Sequence, residues 1–210
     1  MVVTSLDESV IQDIGHAFGY YDYGSEKGLV SLYSSRQAAA EFICGYVRMA
    51  LKAGMLHATG PRGEGYIAFK RPGERVSLGA ELLLARGLLG SMNAKELVRF
   101  FRLAAKGGAG LDDRMKKEKK PFIFVGMVCV REPYQGQGYM RKLLEIAFAE
   151  GNRLQVPVIL DTDAKSKCDK YMHLGMELAG TRNFGENGTL YDLIKYPDAN
   201  FPTAASVCEK

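Results

Sequence analysis

Apolar residues recur along much of the chain at the three-to-four-residue spacing of amphipathic helices. This spacing predicts helices over residues 5–20, 35–53, 93–106 and 140–154, and a strongly apolar run and a short charged segment predict two more over residues 77–89 and 111–120. Ser5 and Glu8 have the spacing of a capping box at the start of the first helix, and Asn93 and Glu96 repeat it at the start of the fourth. Glycines at positions 54 and 90 predict the ends of the second and third helices.

Shorter runs rich in valine, isoleucine and aromatic residues predict the strands. They cover residues 55–59, 65–70, 122–130, 156–160, 177–181 and 190–195. Residues 122–130 are almost wholly apolar, as is typical of a strand buried on both faces. The last two runs predict a hairpin, and the tail after Tyr196 is expected to be loosely attached.

A polar loop joins the central apolar strand to the helix that follows it. The loop has the sequence Gln-Gly-Gln-Gly, with glycines at positions 136 and 138. Backbone N–H groups at the start of a helix lack partners within the helix, and glycine lets an anion approach them closely. The pattern predicts a phosphate site to which Gln135, Gln137 and Arg141 could add donors. An ordinary strand–turn–helix connection would use the same glycines, and the loop alone does not decide between the two.

The sequence around this loop resembles a known cofactor motif. Residues 130–144, VREPYQGQGYMRKLL, are similar to the acetyl-CoA motif of the GNAT superfamily of N-acetyltransferases. Gln135, Gly138 and Met140 occupy the three pattern positions of that motif. Met140 stands where the superfamily usually has a small residue.

A second segment resembles the same superfamily. Residues 171–176, YMHLGM, look like its second motif, with Met176 in place of the usual phenylalanine. Lys167 takes the position at which the superfamily pattern has an asparagine. The resemblance covers residues 121–196, and it extends more weakly to residues 65–73, which look like the puromycin N-acetyltransferase-like branch.

The resemblance implies both a fold and a reaction. The implied fold is one α/β domain over residues 1–210, with a mixed, mostly antiparallel central sheet between helices on both sides. Residues 76–120 would form a helical insertion that covers the acceptor side, and residues 121–196 would form the CoA-binding core. The implied reaction transfers an acetyl group from acetyl-CoA to an amine, and a small amine suits the resembling branch better than a protein terminus.

The resemblance also assigns residues to the cofactor. The pyrophosphate is expected on the glycine loop, the pantetheine arm along the end of the central strand, and Lys167 near the pantetheine or the phosphates. In the superfamily the central strand parts from its neighbour there and leaves backbone groups that face the cofactor. The expected cofactor-binding residues are Val128, Cys129, Val130, Gln135, Gly136, Gln137, Gly138, Tyr139, Met140, Arg141 and Lys167.

Acetyl transfer requires an acid for the leaving thiolate and a neutral amine as the nucleophile. Tyr171 matches the position at which the superfamily commonly places the acid, and packing against the pantetheine is the alternative. Asp161 is the candidate base, directly or through water, whereas capping of the next helix by Asp161 or Asp163 is an equal alternative. Cys129 is interpreted as a small core residue, so direct transfer is favoured over a covalent intermediate.

Composition excludes several other classes of protein. The chain has 210 residues, 47% hydrophobic and 25% charged, with a net charge of +4, which is ordinary for a globular protein and does not indicate nucleic-acid binding. Four scattered cysteines and no signal-peptide pattern suggest reduced thiols and a cytoplasmic protein. No apolar stretch reaches the roughly 18–20 residues of a membrane span, and no ligand spacing indicates a metal site. The expected partners are acetyl-CoA and a small amine, and a homodimer is left open.

Two other functions remain as alternatives. Met140, Lys167 and Met176 depart from the superfamily pattern, which would suit a non-catalytic acyl-CoA-binding or sensing module. The basic run at residues 116–120 is the sole sign of nucleic-acid binding, and such a run is more often a solvated surface.

Two sets of residues in the N-terminal half have open roles. Tyr20, Tyr21 and Tyr23 follow the first helix, where they could pack in a turn or form a wall of the acceptor pocket. His57 lies in the first strand, where it could be a packed strand residue or line the site.

Overall fold

The computed structural model describes residues 1–106, 108–185 and 188–199. Its helices are α1 (Glu8–Gly19), α2 (Arg36–Lys52), α3 (Leu78–Ser91), α4 (Ala94–Lys106), α5 (Leu111–Lys117), α6 (Tyr139–Leu154) and α7 (Lys165–His173). Its strands are β1 (Leu56–Ala58), β2 (Gly65–Lys70), β3 (Ile123–Val130), β4 (Val158–Thr162), β5 (Glu177–Asn183) and β6 (Thr189–Lys195). The prediction of a loosely attached tail concerns mainly residues 200–210, which lie outside this description.

Within the described part of the chain, the strands form one sheet in the order β1-β2-β3-β4-β6-β5. Neighbouring strands are antiparallel except β3 and β4, which are parallel. Apolar side chains of α1, α2 and α5 cover one face of the sheet, and those of α6 and α7 cover the other. The predicted α/β fold, with a mixed, mostly antiparallel sheet, is therefore confirmed. None of the described helices is both long enough and apolar enough to cross a bilayer.

Polar side chains define the starts of two predicted helices. Ser35 accepts a hydrogen bond from the N–H of Ala38 at 3.0 Å and caps α2. Asn93 accepts from the N–H of Glu96 at 3.1 Å, and the carboxylate of Glu96 accepts from the N–H of Asn93 at 2.7 Å. This reciprocal pair is the predicted capping box of α4.

The capping box predicted at Ser5 is wrong. Helix α1 begins at Glu8, and its N-cap is Asp7, whose side chain makes no capping hydrogen bond. The N–H of Val3 instead donates to Leu56 O at 2.9 Å, so the first residues run alongside β1 before the helix can start. The sequence pattern could not reveal this pairing, because it joins distant parts of the chain.

Helix α3 does not stop at Gly90, as its sequence predicts, but continues to Ser91. It packs closely on α2, where Gly87 meets Gly45. A Cβ atom built on Gly45 would lie 2.8 Å from the Cα of Gly87, so the two helices approach at a distance that only glycine allows.

Strand β3 contains a bulge at Gly126, which opens the sheet. Opposite β2, Met127 pairs with Ala68 and Val125 pairs with Phe69, so Gly126 is the extra residue. On its other edge β3 pairs with β4 only through Ile123 and Phe124. A bulge bends its strand and increases the local twist, so the two parallel strands part beyond this point.

The segment between β4 and α7 differs from its prediction. Strand β4 runs two residues further than expected, so Asp161 lies within it. The N-cap of α7 is Ala164, which makes the capping role considered for Asp161 or Asp163 wrong. The carboxylate of Glu26 accepts hydrogen bonds from the first N–H groups of α7, including that of Ser166 at 3.3 Å. The loop between α1 and α2 therefore caps α7 from across the molecule.

Candidate active site

Two cavities meet where β3 and β4 part. The first has a volume of about 410 Å³ and is formed by the end of β3, the glycine loop, α1, the loop after it, and α7. The second, of about 370 Å³, lies between α1, the loop after it, α2, β3 and β4. Phe18, Val128, Lys167 and Tyr171 line both cavities.

The glycine loop presents backbone N–H groups to the first cavity. Gly136 and Gly138 have left-handed φ angles of +73° and +79°. Gly138 is the N-cap of α6 and supplies no side-chain cap, so the first N–H groups of this 16-residue helix point out of its end. A Cβ atom on either glycine would meet nothing within 4 Å. The loop is therefore open to an anion and has the partial positive charge of a helix start.

The two glutamine side chains of the loop are held by the loop itself. Gln135 donates to Val130 O at 3.2 Å, and Gln137 donates to Pro133 O at 3.0 Å. Gln135 also lines the first cavity, whereas Gln137 and Arg141 do not. These side chains stabilise the shape of the loop, and the backbone provides most of the donors toward the cavity.

The end of β3 forms one wall of the first cavity. Val128, Cys129 and Val130 line it together with Tyr139 and Met140 of α6. One edge of this segment pairs with β2, while the edge toward β4 has no partner among the described strands, because pairing stops at Phe124. This free edge faces the cavity and can pair with an extended ligand as a strand would.

Cys129 lies in the strand with little exposure. It is 4% exposed, and burial raises the pKa of its thiol to about 12. The thiol is therefore protonated at neutral pH and is a poor nucleophile.

Tyr171 projects from α7 to the place where the cavities meet. The residue is 9% exposed. Burial, reinforced by the negative charge of Asp163, raises the pKa of its phenol well above the ordinary value. Among the described residues its hydroxyl has no hydrogen-bond partner, so it is available to a group in the cavities.

Lys167 is held by Tyr21 and Tyr23 of the loop after α1 and by Asp163, which directly follows β4. Its Nζ lies 2.8 Å from a carboxylate oxygen of Asp163 and 3.1 Å from the hydroxyl of Tyr23. It also lies 4.3 Å from the ring centroid of Tyr21 and 4.4 Å from that of Tyr23. These contacts place a fixed positive charge on the shared wall of the two cavities.

Asp161 lines the second cavity and is paired with arginine. Its side chain is 40% exposed, and Arg182 Nη2 lies 2.7 Å from its carboxylate. Arg182 also bonds the buried Asp192 at 2.7 Å. Although this side chain is partly exposed, desolvation by the surrounding protein raises the pKa of the Asp161 carboxyl above its ordinary value, and the Arg182 guanidinium opposes this rise.

Aromatic residues form much of the remaining wall of the second cavity. Phe18, Phe42 and Tyr46 come from α1 and α2, and Tyr23 comes from the loop between them. Burial and the negative charge of Asp161 raise the pKa of Tyr46 to about 12. A Cβ atom on Gly126 would lie 2.0 Å from the Tyr46 hydroxyl, so this tyrosine fits only beside the glycine of the bulge.

The structure shows which of the tyrosines after α1 line a cavity and whether His57 does. Tyr21 lines the first cavity and Tyr23 the second, whereas Tyr20 is 39% exposed and stacks on His16. His57 is a packed strand residue, since it is 4% exposed, stacks on a phenylalanine of β2 and bonds a backbone carbonyl.

Sequence reasoning missed the second cavity's aromatic wall and the bulge behind it. The apolar positions of α1 and α2 had the spacing of an ordinary buried face, and nothing local distinguished Phe18, Phe42 or Tyr46 from core residues. Gly126 did carry a signal, because a glycine inside an apolar strand often marks a bulge.

Comparison with known proteins identifies the fold. No protein-family model and no curated protein matches this sequence. A structure of histone acetyltransferase HPA2 and related acetyltransferase from Corynebacterium glutamicum matches with a TM-score of 0.60 and 15% identity, over 96% of this chain and 97% of that chain. Arylalkylamine N-acetyltransferase 2 from Aedes aegypti matches with a TM-score of 0.55 and 13% identity, over 92% of this chain and 97% of that chain. A GNAT-family acetyltransferase from Listeria monocytogenes matches with a TM-score of 0.54 and 13% identity, over 93% and 94%.

These similarities show that the chain has the fold of the GNAT acetyltransferases. The overlap extends over 92–96% of this chain and 94–97% of the matched chains. At such low identity the agreement concerns the fold, and the weaker resemblance to the puromycin N-acetyltransferase-like branch stays a prediction.

Proposed function

We propose that this protein transfers an acetyl group from acetyl-CoA directly to the amine of a small molecule. The observation that carries the proposal is the junction of the two cavities at the parting of β3 and β4. One cavity has the anion-binding loop and the free strand edge that a CoA thioester requires. The other offers a separate space for an acceptor, and both open on Tyr171.

Each wall of the first cavity suits a different part of acetyl-CoA. The N–H groups at the start of α6 would bind the pyrophosphate, and the free edge of β3 would pair with the amides of the pantetheine arm. A backbone N–H near Cys129 would polarise the thioester carbonyl. The hydroxyl of Tyr171 would then donate a proton to the leaving thiolate.

The second cavity favours a small acceptor with an apolar body. Its volume of about 370 Å³ is within the range of small-molecule sites and is too small for a folded protein surface. Aromatic rings of Phe18, Phe42 and Tyr46 would pack against the body of the amine. The carboxylate of Asp161 would attract the protonated amine and remove a proton from it, directly or through water.

A thiol-release assay tests the function. Aliphatic amines, aromatic amines and peptides with free N-termini are each supplied with acetyl-CoA, and calorimetry measures acetyl-CoA binding separately. We expect turnover with small amines that carry an apolar group. Tight acetyl-CoA binding without turnover of any amine would instead support the non-catalytic acyl-CoA-binding module.

A pH profile tests Asp161. A base must be deprotonated, so activity should fall as the pH drops through the pKa of Asp161, which burial raises. The acidic limb of kcat/KM should therefore lie above the ordinary range of about 4 for an aspartate. Asp161→Asn should lose about 10²–10⁴-fold in kcat and lose this limb, while its acetyl-CoA affinity stays the same. If the acidic limb of kcat/KM is unchanged in Asp161→Asn, the base is a different group.

A further inference from the structure

Helix α3 is apolar on two opposite faces, but the described chain covers only one of them. The inner face, with the buried Ala80 and with Gly87, packs on α2. On the outer face Leu78 is 79% exposed, Leu82 is 64% exposed and Leu89 is 65% exposed. A helix that is hydrophobic all round is normally buried all round, so this outer face calls for a partner.

The outer face has the spacing of a coiled-coil seam. Leu78, Leu82, Ala85 and Leu89 follow one another at intervals of four, three and four residues, as d, a, d and a positions do. Glu81 and Arg86 then occupy g and e positions on opposite sides of the seam. Both are exposed, and neither forms a salt bridge with any residue that the structure describes.

We propose that the outer face of α3 pairs in parallel with the same face of a second copy of this chain. In a parallel pair each seam residue meets its own equivalent, and a g residue meets the e residue five positions further along the partner helix. Glu81 would therefore face Arg86 of the partner subunit, and the two-fold symmetry would form this ion pair twice. An antiparallel pair places g residues beside g residues and e residues beside e residues, so it would form no ion pair between Glu81 and Arg86.

The expected dimer is weak, but the helix through which it pairs is already folded in each monomer. Two heptads are too short for an isolated coiled coil, but α3 is already held as a helix by α2. Its 14 residues span roughly 21 Å, which supplies less surface than the approximately 1,200–2,000 Å² of a standard interface. We therefore expect a reversible dimer with a dissociation constant on the order of micromolar. This inference does not depend on the proposed acetyl transfer.

Sedimentation measurements on the full chain over about 1–200 μM protein test the seam. We expect the wild-type chain to pass from monomer to dimer in this range. Leu82→Glu and Leu89→Glu should each raise the dissociation constant about 100-fold or more, because each change places two carboxylates in one apolar seam. Leu178→Glu, at a residue of β5 that is 45% exposed, is the matched control and should dimerise like the wild type. A wild-type chain that stays monomeric throughout overturns the proposal.

Charge exchange tests the direction of pairing. Glu81→Arg and Arg86→Glu should each weaken the dimer by about 3–10-fold, and the double variant should recover wild-type affinity. In an antiparallel pair Glu81 and Arg86 would not face each other, so the single variants would keep the wild-type affinity, and that result would overturn the parallel arrangement. Circular dichroism of each variant establishes that these exposed substitutions leave the fold intact.

Discussion

Replacing Tyr171 with phenylalanine isolates the role of one hydroxyl group at the junction of the two cavities. The ring is almost fully buried among residues of α6, β4 and α7, and phenylalanine keeps that packing. No described residue bonds the hydroxyl, so its removal leaves no donor or acceptor unpaired. Tyr171→Phe should therefore unfold at the same temperature as the wild type or higher.

If the hydroxyl of Tyr171 protonates the leaving thiolate, Tyr171→Phe should lower kcat strongly. General acid catalysis is typically worth about 10²–10⁴-fold, which corresponds to roughly 3–5 kcal/mol in the barrier. Because burial and Asp163 raise the pKa of Tyr171, its hydroxyl stays protonated throughout the usual assay range. The residue should thus cause no fall in activity at alkaline pH, and Tyr171→Phe should lower kcat by a similar factor at every pH.

The quantity to measure is kcat, with an amine that the thiol-release screen identifies and under conditions in which the chemical step limits the rate. Calorimetry should show that acetyl-CoA affinity barely changes. Tyr33→Phe is the matched control, since the Tyr33 hydroxyl is also buried without a described partner but lies outside both cavities. If Tyr171→Phe keeps the turnover of this control, the tyrosine only packs in the site. If affinity and turnover both collapse, the hydroxyl has a structural role.

Three further predictions concern the loop, the bulge and the shared wall. Gly138→Val should weaken acetyl-CoA binding at least about tenfold in calorimetry, because a φ of +79° strains any other residue by about 1–2 kcal/mol and a side chain would enter the cavity. Gly73 has the same φ but lies outside both cavities, so Gly73→Val is the control and should leave the affinity for acetyl-CoA unchanged. Gly126→Ala should destabilise the fold by about 1–3 kcal/mol, and adding Tyr46→Phe should recover most of the loss, whereas purely additive effects would contradict the predicted clash. Lys167→Met should bind acetyl-CoA more weakly and with a shallower salt dependence than the wild type, and an unchanged slope would mean that the charge does not act on the cofactor.

Local patterns predicted the elements of this fold well, because helical periodicity, glycine turns and polar caps act over a few residues. The start of α2 at Ser35 and the capping box at Asn93 are examples. The errors arose where distant segments meet. Residues 1–3 run beside β1 and α1 starts later than its sequence predicts, and α7 is capped by Glu26 from the loop after α1.

The candidate site was predictable only in part for the same reason. The Gln-Gly-Gln-Gly sequence indicates an anion site by itself, because the helix start and its glycines are contiguous. The surroundings of Lys167 could not be predicted, since its partners Tyr23 and Tyr21 lie far away in the sequence. The pairing of Asp161 with Arg182 likewise depends on the register between strands.

The opening of the sheet at Gly126 depends on one extra residue in β3. Side chains alternate along a strand, and the extra residue reverses that alternation once. Val125 therefore packs on the side of α6, whereas Met127 packs on the side of α1 and α2. Deleting Gly126 would leave every neighbour on its present side, yet it would let the β3–β4 ladder continue. A change of one residue in chain length could thus close the sheet while leaving the composition of its core intact.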